Sequence, residues 1–188
     1  MRLPLGGPAP EFSLPSVAGG LVSRSEFVGK PLLVMFWCNH CPFVRHVRAE
    51  VLSLVHAFLP RGLAVVAINS NDPEQVPADG VEAMRAEAKA HAYPFAYLVD
   101  SSQKVARSFC AACTPDFFLF DGGHKLAYRG AFDASSPGNQ KPVDGRWLRA
   151  AIEAVLDKRP VEADQRPSLG CGIKWRPEPV AGETPAGG

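Results

Sequence analysis

The sequence carries almost no excess of charge: 20 lysines and arginines stand against 19 aspartates and glutamates, a formal net charge of +1. No global field would recruit nucleic acid or an anionic membrane surface, so neither is expected as a partner. No run approaches the ~18 apolar residues that a bilayer span requires. The opening residues, Met1-Arg2-Leu3-Pro4-Leu5-Gly6-Gly7-Pro8, meet prolines before any apolar stretch develops, which makes a poor secretory signal. Glycine-rich phosphate loops and nicotinamide fingerprints are missing as well, so no cofactor is expected, and reducing equivalents must come from a partner protein or small thiol. Cysteine is scarce and odd in number, five in all: Cys38, Cys41, Cys110, Cys113 and Cys171. An odd count suits a reduced compartment better than a fully paired secreted scaffold, and the expected address is cytoplasmic.

What is present is the profile of a soluble globular chain, 46% apolar and 21% charged over 188 residues, enough for one domain with extensions. The first fifteen residues are too rich in proline for a helix and read as an extended arm, turned back at Gly19-Gly20. Ser23 offers a cap for a short helical turn that closes at Gly29. Residues 31–37 form a continuous apolar run of strand length, as in a strand covered on both faces. After it, Val44, Val47, Val51, Leu54, Val55 and Phe58 recur at helical steps, until Pro60 and Gly62 stop the helix. Further strands are expected at residues 63–68 and 95–99, with a helix at 81–90 between them and a short one near Val105. The Asp121-Gly122-Gly123 turn marks a hairpin, and residues 144–156 a closing helix. Parallel β-α-β units followed by an antiparallel pair imply an α/β fold with helices on both faces of a mixed sheet. The domain is expected over residues 1–156. Residues 157–188, rich in Pro and Gly, read as a tail lying on the domain, with partial disorder over 181–188.

The informative feature is where Cys38-Asn39-His40-Cys41 sits: it leaves a buried strand and enters the N-terminus of an amphipathic helix. The unpaired amides and dipole there favour negative charge, so a cysteine in the first turn is held more readily as thiolate, the attacking species in disulfide exchange. On this reading Cys38 is the nucleophile and Cys41, a turn further on, resolves the mixed disulfide. His40 is placed to donate toward the Cys38 sulfur and lower its pKa. Trp37 is placed to cover that sulfur, and Pro42 falls where a helix tolerates proline.

Trp37-Cys38-Asn39-His40-Cys41 resembles the W-C-x-x-C of thioredoxins, and its histidine resembles that of the C-G-H-C and C-P-H-C motifs of disulfide isomerases and oxidases. Thr114-Pro115 is similar to the threonine–cis-proline loop that in this superfamily lies against the active-site cysteines. Gly7-Pro8-Ala9-Pro10-Glu11-Phe12-Ser13-Leu14 resembles the G-x-x-A-P-x-F-x-L opening of peroxiredoxin-related, AhpC-TSA-like proteins. The resemblance spans roughly residues 6–156 and implies a thioredoxin fold. It also implies thiol–disulfide oxidoreductase activity, with protein dithiols or disulfides and an external reductant or oxidant as partners. Two departures stand out. The strand before the motif lacks the buried aspartate of thioredoxins, and the P-x-x-x-T of peroxiredoxins is absent ahead of Cys41.

The remaining cysteines rank second. Cys110 and Cys113 read as small buried groups beside a helix end, or alternatively as a second dithiol. Cys171, in Leu169-Gly170-Cys171-Gly172-Ile173-Lys174-Trp175, reads as part of a docking tail, or alternatively as a resolving or regulatory thiol. His46 and His56 are expected to be solvated, His124 to sit in a turn, and Arg129 to lie at the surface. Two competing functions are a thiol peroxidase using Cys41, and a zinc or copper site. The latter would use Cys38, Cys41 and either His40 or the Cys110–Cys113 pair.

Overall fold

The structure is a computed structural model that describes residues 2–177; the expectation of disorder over 181–188 falls outside the described residues. The expected strands and helices are present. β3 (Leu32–Phe36), β4 (Ala64–Asn69), β5 (Ala96–Val99), β7 (Asp116–Phe120) and β8 (Leu126–Gly130) form one five-stranded sheet in the order β5-β4-β3-β7-β8. β3 pairs in parallel with β4 and antiparallel with β7. It is central and has every residue buried, which is why its sequence shows no polar alternation.

The strands send alternate residues to two cores. On one face Leu33, Met35, Phe117 and Leu119 pack under α1 (Pro42–Phe58) and α4 (Arg146–Leu156). α1 supplies the valine, leucine and phenylalanine stripe read from its sequence. On the other face Val34, Phe36, Phe118 and Phe120 pack against α3 (Lys104–Phe109) and against Phe12 and Leu14 of the arm. The thioredoxin-type α/β architecture expected from the sequence is the one observed. α2 (Val81–Ala90) packs against β5 and sends only Met84 deep into the first core.

The N-terminal arm holds a small hairpin, β1 (Ser13–Pro15) with β2 (Leu21–Ser23). It crosses the second face from one side of the sheet to the other, bridging Pro8 to Lys125 beside β8 and Ser16 to Leu98 on β5. His124, expected merely to occupy a turn, is a buried clasp for this arm. Its Nε2–H donates to the Phe27 and Lys30 carbonyls (3.0 and 3.2 Å), while Arg24 donates to its Nδ1 (2.8 Å). After α4 the chain returns irregularly along β8, where Gln165 accepts from the Arg129 amide and donates to the Ala127 carbonyl. It ends in a two-residue strand, β9 (Cys171–Gly172), paired antiparallel with β6 (Cys113–Thr114).

The second core rests on a cluster of aromatic rings. Fully buried Phe109 meets Phe36 and Phe118 edge-on at 5.4 Å each and Phe120 at 6.0 Å. Truncating Phe109 to Ala is expected to cost about 3–5 kcal/mol through lost burial and an unfilled cavity, read as a lower urea midpoint with an unchanged slope.

Candidate active site

β3 ends at Phe36, and the Trp37 amide still reaches the Ile68 carbonyl of β4 (2.9 Å) before the chain turns away from the sheet. The next residues are held out of the helix. The Asn39 amide donates to Asp79 Oδ1 (2.7 Å), and its side chain donates to the Ala78 carbonyl (2.8 Å). α1 therefore begins at Pro42, which lacks an N–H and suits the first helical position, and its N-cap is Cys41. This corrects the sequence reading: the residue capping the helix is the second cysteine of the motif and not the first.

The charge follows the cap. Cys41 is pulled down to about 4, chiefly because the Cys38 thiol donates to it. Burial opposes that shift, while Cys171 and the Val44 amide support it, the amide without closing a formal capping bond. One neighbour favours the protonated form, the Thr114 carbonyl 3.2 Å from the Cys41 sulfur. Cys38 moves the other way, far above the ordinary thiol range. The hydrogen bond to Cys41 is the main cause, followed by burial and the nearby Asp79 charge; the Thr114 hydroxyl, 3.0 Å away, and the Cys41 backbone amide counter it. The two buried thiols are coupled, and the helix end that Cys41 caps, together with the facing Cys171 thiol, favours the charge on Cys41.

His40 does not act as expected. Its Nδ1 lies 2.5 Å from Asp79 Oδ2, and that carboxylate also accepts from the Asn71 side chain (2.8 Å). Asp79 is fully buried, and its charge raises the Cys38 pKa. Trp37 is no lid over the sulfur: it is buried in the first core, donates to the Tyr93 hydroxyl (3.1 Å) and meets Phe117 edge-on. Thr114 touches both sulfurs, and the Thr114–Pro115 bond is cis.

Cys38, His40 and Asp79 each offer a ligand atom within 4.8 Å of the others, the single such group among the described residues. Cys110 and Cys113 stand outside it. The Asp79 oxygens are already occupied by three donors, which makes this trio a hydrogen-bonded unit first and a metal cradle second. Cys113 is pushed up to about 12 by burial and by Asp116, whose own carboxyl is raised to about 6 by burial. Arg129 is not a free surface group. It stacks on Phe118 and donates to the Cys110 carbonyl (2.7 Å). His46, expected in solvent, is half-buried, lines a cavity of about 370 Å³ with Phe43 and Pro115, and has an unpartnered buried Nε2.

The tail closes the site. β9 places Cys171 opposite Thr114 and Gly172 opposite Cys113, and the Cys171 and Cys41 sulfurs are 2.7 Å apart. Cys38 and Cys41 are both 0% exposed, whereas Cys171 is half-buried.

A model of the AhpC/TSA family matches residues 5–129. The chain belongs to the AhpC/TSA family. Two solved structures are each 47% identical to this AhpC/TSA member. One is an uncharacterized conserved protein from Geobacillus kaustophilus (TM-score 0.92, covering 95% of both chains). The other is a hypothetical protein from Sinorhizobium meliloti (TM-score 0.91, covering 94% of this chain and 97% of that one). Thiol:disulfide interchange protein DsbE of Escherichia coli is 25% identical over 155 residues, 80% of this chain and 78% of that protein. The relatives of this AhpC/TSA chain thus include thiol–disulfide oxidoreductases at low identity, which supports oxidoreductase chemistry at the level of the family.

Sequence reasoning missed Asp79, Asn71 and Tyr97, whose hydroxyl donates to Asn39 Oδ1 (3.0 Å). The N-cap position had a usable signal in Pro42; Asp79, from a turn far along the chain, had none. A reduced AhpC/TSA chain with this site is expected to carry one thiolate across neutral pH. Its ultraviolet thiolate absorbance should fall only as pH approaches about 4, and Cys41→Ser should lack that transition. Because the folded-state pKa lies below the unfolded value near 9, the group's stabilisation is complete above that value and lost as pH falls through about 4. Urea titrations of the reduced protein at several pH values check the sign.

Proposed function

We propose that this protein is a thiol–disulfide oxidoreductase that exchanges the Cys38–Cys41 dithiol/disulfide with protein or small-thiol substrates. The observation that carries the reading is the Cys38–Cys41 pair at the start of α1, with Cys41 at the helix N-cap and Thr114 against both sulfurs. The Escherichia coli relative is a thiol:disulfide interchange protein, which agrees with it.

In the reducing direction the Cys41 thiolate attacks one sulfur of a target disulfide. An S–S bond forms to Cys41, and the target's own S–S bond breaks with release of a thiolate. Cys38 then gives up its proton and attacks the Cys41 sulfur, closing the Cys38–Cys41 disulfide and releasing the second target thiolate. The target gains two electrons, and the cysteine pair loses two. Asp79 and His40 each offer an atom within 4.8 Å of the Cys38 sulfur, close enough to influence how the Cys38 proton leaves. Oxidation of a target dithiol is the same sequence reversed.

A thiol peroxidase is the second reading, favoured because the thiolate is on Cys41, the residue that function would need. Rapid peroxide consumption that depends on Cys41 and not on Cys38 would select it.

Insulin reduction with a dithiol as electron source tests the main reading. Cys41→Ser should lose activity outright, whereas Cys38→Ser combined with Cys171→Ser should accumulate a mixed disulfide at Cys41. Full turnover by Cys41→Ser, or trapping at Cys38 in its place, overturns the assignment of roles.

A further inference from the structure

We infer that Cys171 is a third redox thiol of this site, and that the strand carrying it is an internal substrate seated where an external chain would otherwise pair. This deepens the thiol–disulfide reading and rests on it.

Three independent features place the strand. β9 adds to the edge of β6 by main-chain pairing, the general way in which an extended segment is taken up by a sheet. Gly170 makes the approach possible: a Cβ there would lie 2.0 Å from the Thr114 carbonyl oxygen and 2.6 Å from its carbon. Beyond β9 the tail is anchored by Ile173, which is buried in the second core, and by polar contacts. The Ile173 amide donates to the Ala112 carbonyl (3.1 Å), the Lys174 amide to Asn71 Oδ1 (2.8 Å) and the Gln103 side chain to the Lys174 carbonyl (2.8 Å). Arg107 lies over the Trp175 ring at 4.6 Å. Such clips are individually modest, and the apolar anchor of Ile173 in the second core, with Trp175 packed beside it, holds the segment together with them.

The chemistry follows from the 2.7 Å between the Cys41 and Cys171 sulfurs. Once Cys38 and Cys41 are joined in a disulfide, the Cys171 thiolate attacks the Cys41 sulfur. The Cys41–Cys171 bond forms, the Cys38–Cys41 bond breaks, and Cys38 leaves with the electron pair and takes up the proton that Cys171 released. No electrons are gained or lost overall, and no further oxidant is needed. Charge makes the exchange conditional. In the reduced state burial and the facing Cys41 thiolate hold the Cys171 thiol up at about 11. Oxidation of Cys41 removes that opposing charge, so Cys171 ionises more readily when there is a disulfide for it to attack. The disulfide thereby moves from a fully buried pair to a half-exposed position, where an external thiol can meet it.

The test uses the whole chain with Cys110→Ser and Cys113→Ser. The protein is oxidised with hydroxyethyl disulfide, its free thiols are blocked, and its disulfides are mapped by mass spectrometry. A Cys171 cross-link to the Cys38/Cys41 peptide is expected beside the internal Cys38–Cys41 disulfide, and adding Cys38→Ser should make Cys41–Cys171 the sole disulfide. Gly170→Val keeps every thiol but unseats the strand. It should abolish the cross-link and speed Cys41 alkylation at least about tenfold, equivalent to about 1.4 kcal/mol of closure. Formation of Cys38–Cys41 without any Cys171 cross-link overturns the inference and leaves the dithiol reading standing. A cross-link that persists in Gly170→Val overturns the docked strand as its cause. A Cys41–Cys171 disulfide with no Cys38–Cys41 bond in the Cys38-containing protein overturns the dithiol reading and with it the exchange that starts from the Cys38–Cys41 disulfide.

Discussion

Burying a thiolate without a cation beside it is unfavourable, and the surroundings of Cys41 are arranged to make that burial tolerable. The Cys38 thiol donates to it, the helix that it caps turns its positive end toward it, and the Cys171 thiol faces it. Each of these depends on a separate piece of the fold. β3 delivers Cys38, the start of α1 sets Cys41, β6 brings Thr114 between them, and the tail closes over the group. Removing any one changes where the shared proton resides, and so which sulfur attacks.

Why the charge falls on the second cysteine is a question of local competition. A C-x-x-C after a strand suggests a helix that starts at the first cysteine. Here Asp79 captures the Asn39 amide and Ala78 captures its side chain, so the turn between the cysteines is fastened to a neighbouring loop and the helix begins late. The same carboxylate takes His40 Nδ1, so a histidine that reads as an acidifier of Cys38 is committed elsewhere. Asp79 thus both delays the helix and keeps the Cys38 proton in place.

Much of this was legible in the residues. The unbroken apolar run of β3 announced a strand buried on both faces, and the spacing from Val44 to Phe58 gave the buried stripe of α1. Pro42 marked the true helix start for a reader who weighted it. The loop between β4 and α2 was not legible, because Asn69, Ser70, Asn71 and Asp72 look like an ordinary solvated turn, yet all four are buried with Asp100 and Gln103. Their partners lie far along the chain, and composition carries no sign of pairing over such separations. The tail was opaque for the same reason. Gly170-Cys171-Gly172 shows that the backbone can come close to something, but only the register against Cys113 and Thr114 shows to what.

Both long edges of the central sheet are met by the chain's own extremities. The arm bridges to β5 at Ser16 and runs beside β8 at Pro8, and Gln165 of the returning tail fastens onto β8. An open strand edge is a template for a second copy to add to, and these segments deny it. Trimming the two extensions to obtain a tidier domain would therefore uncover adhesive borders and at the same time strip Phe12, Leu14 and Ile173 from the second core. Such a shortened protein would meet loss of stability and self-association together.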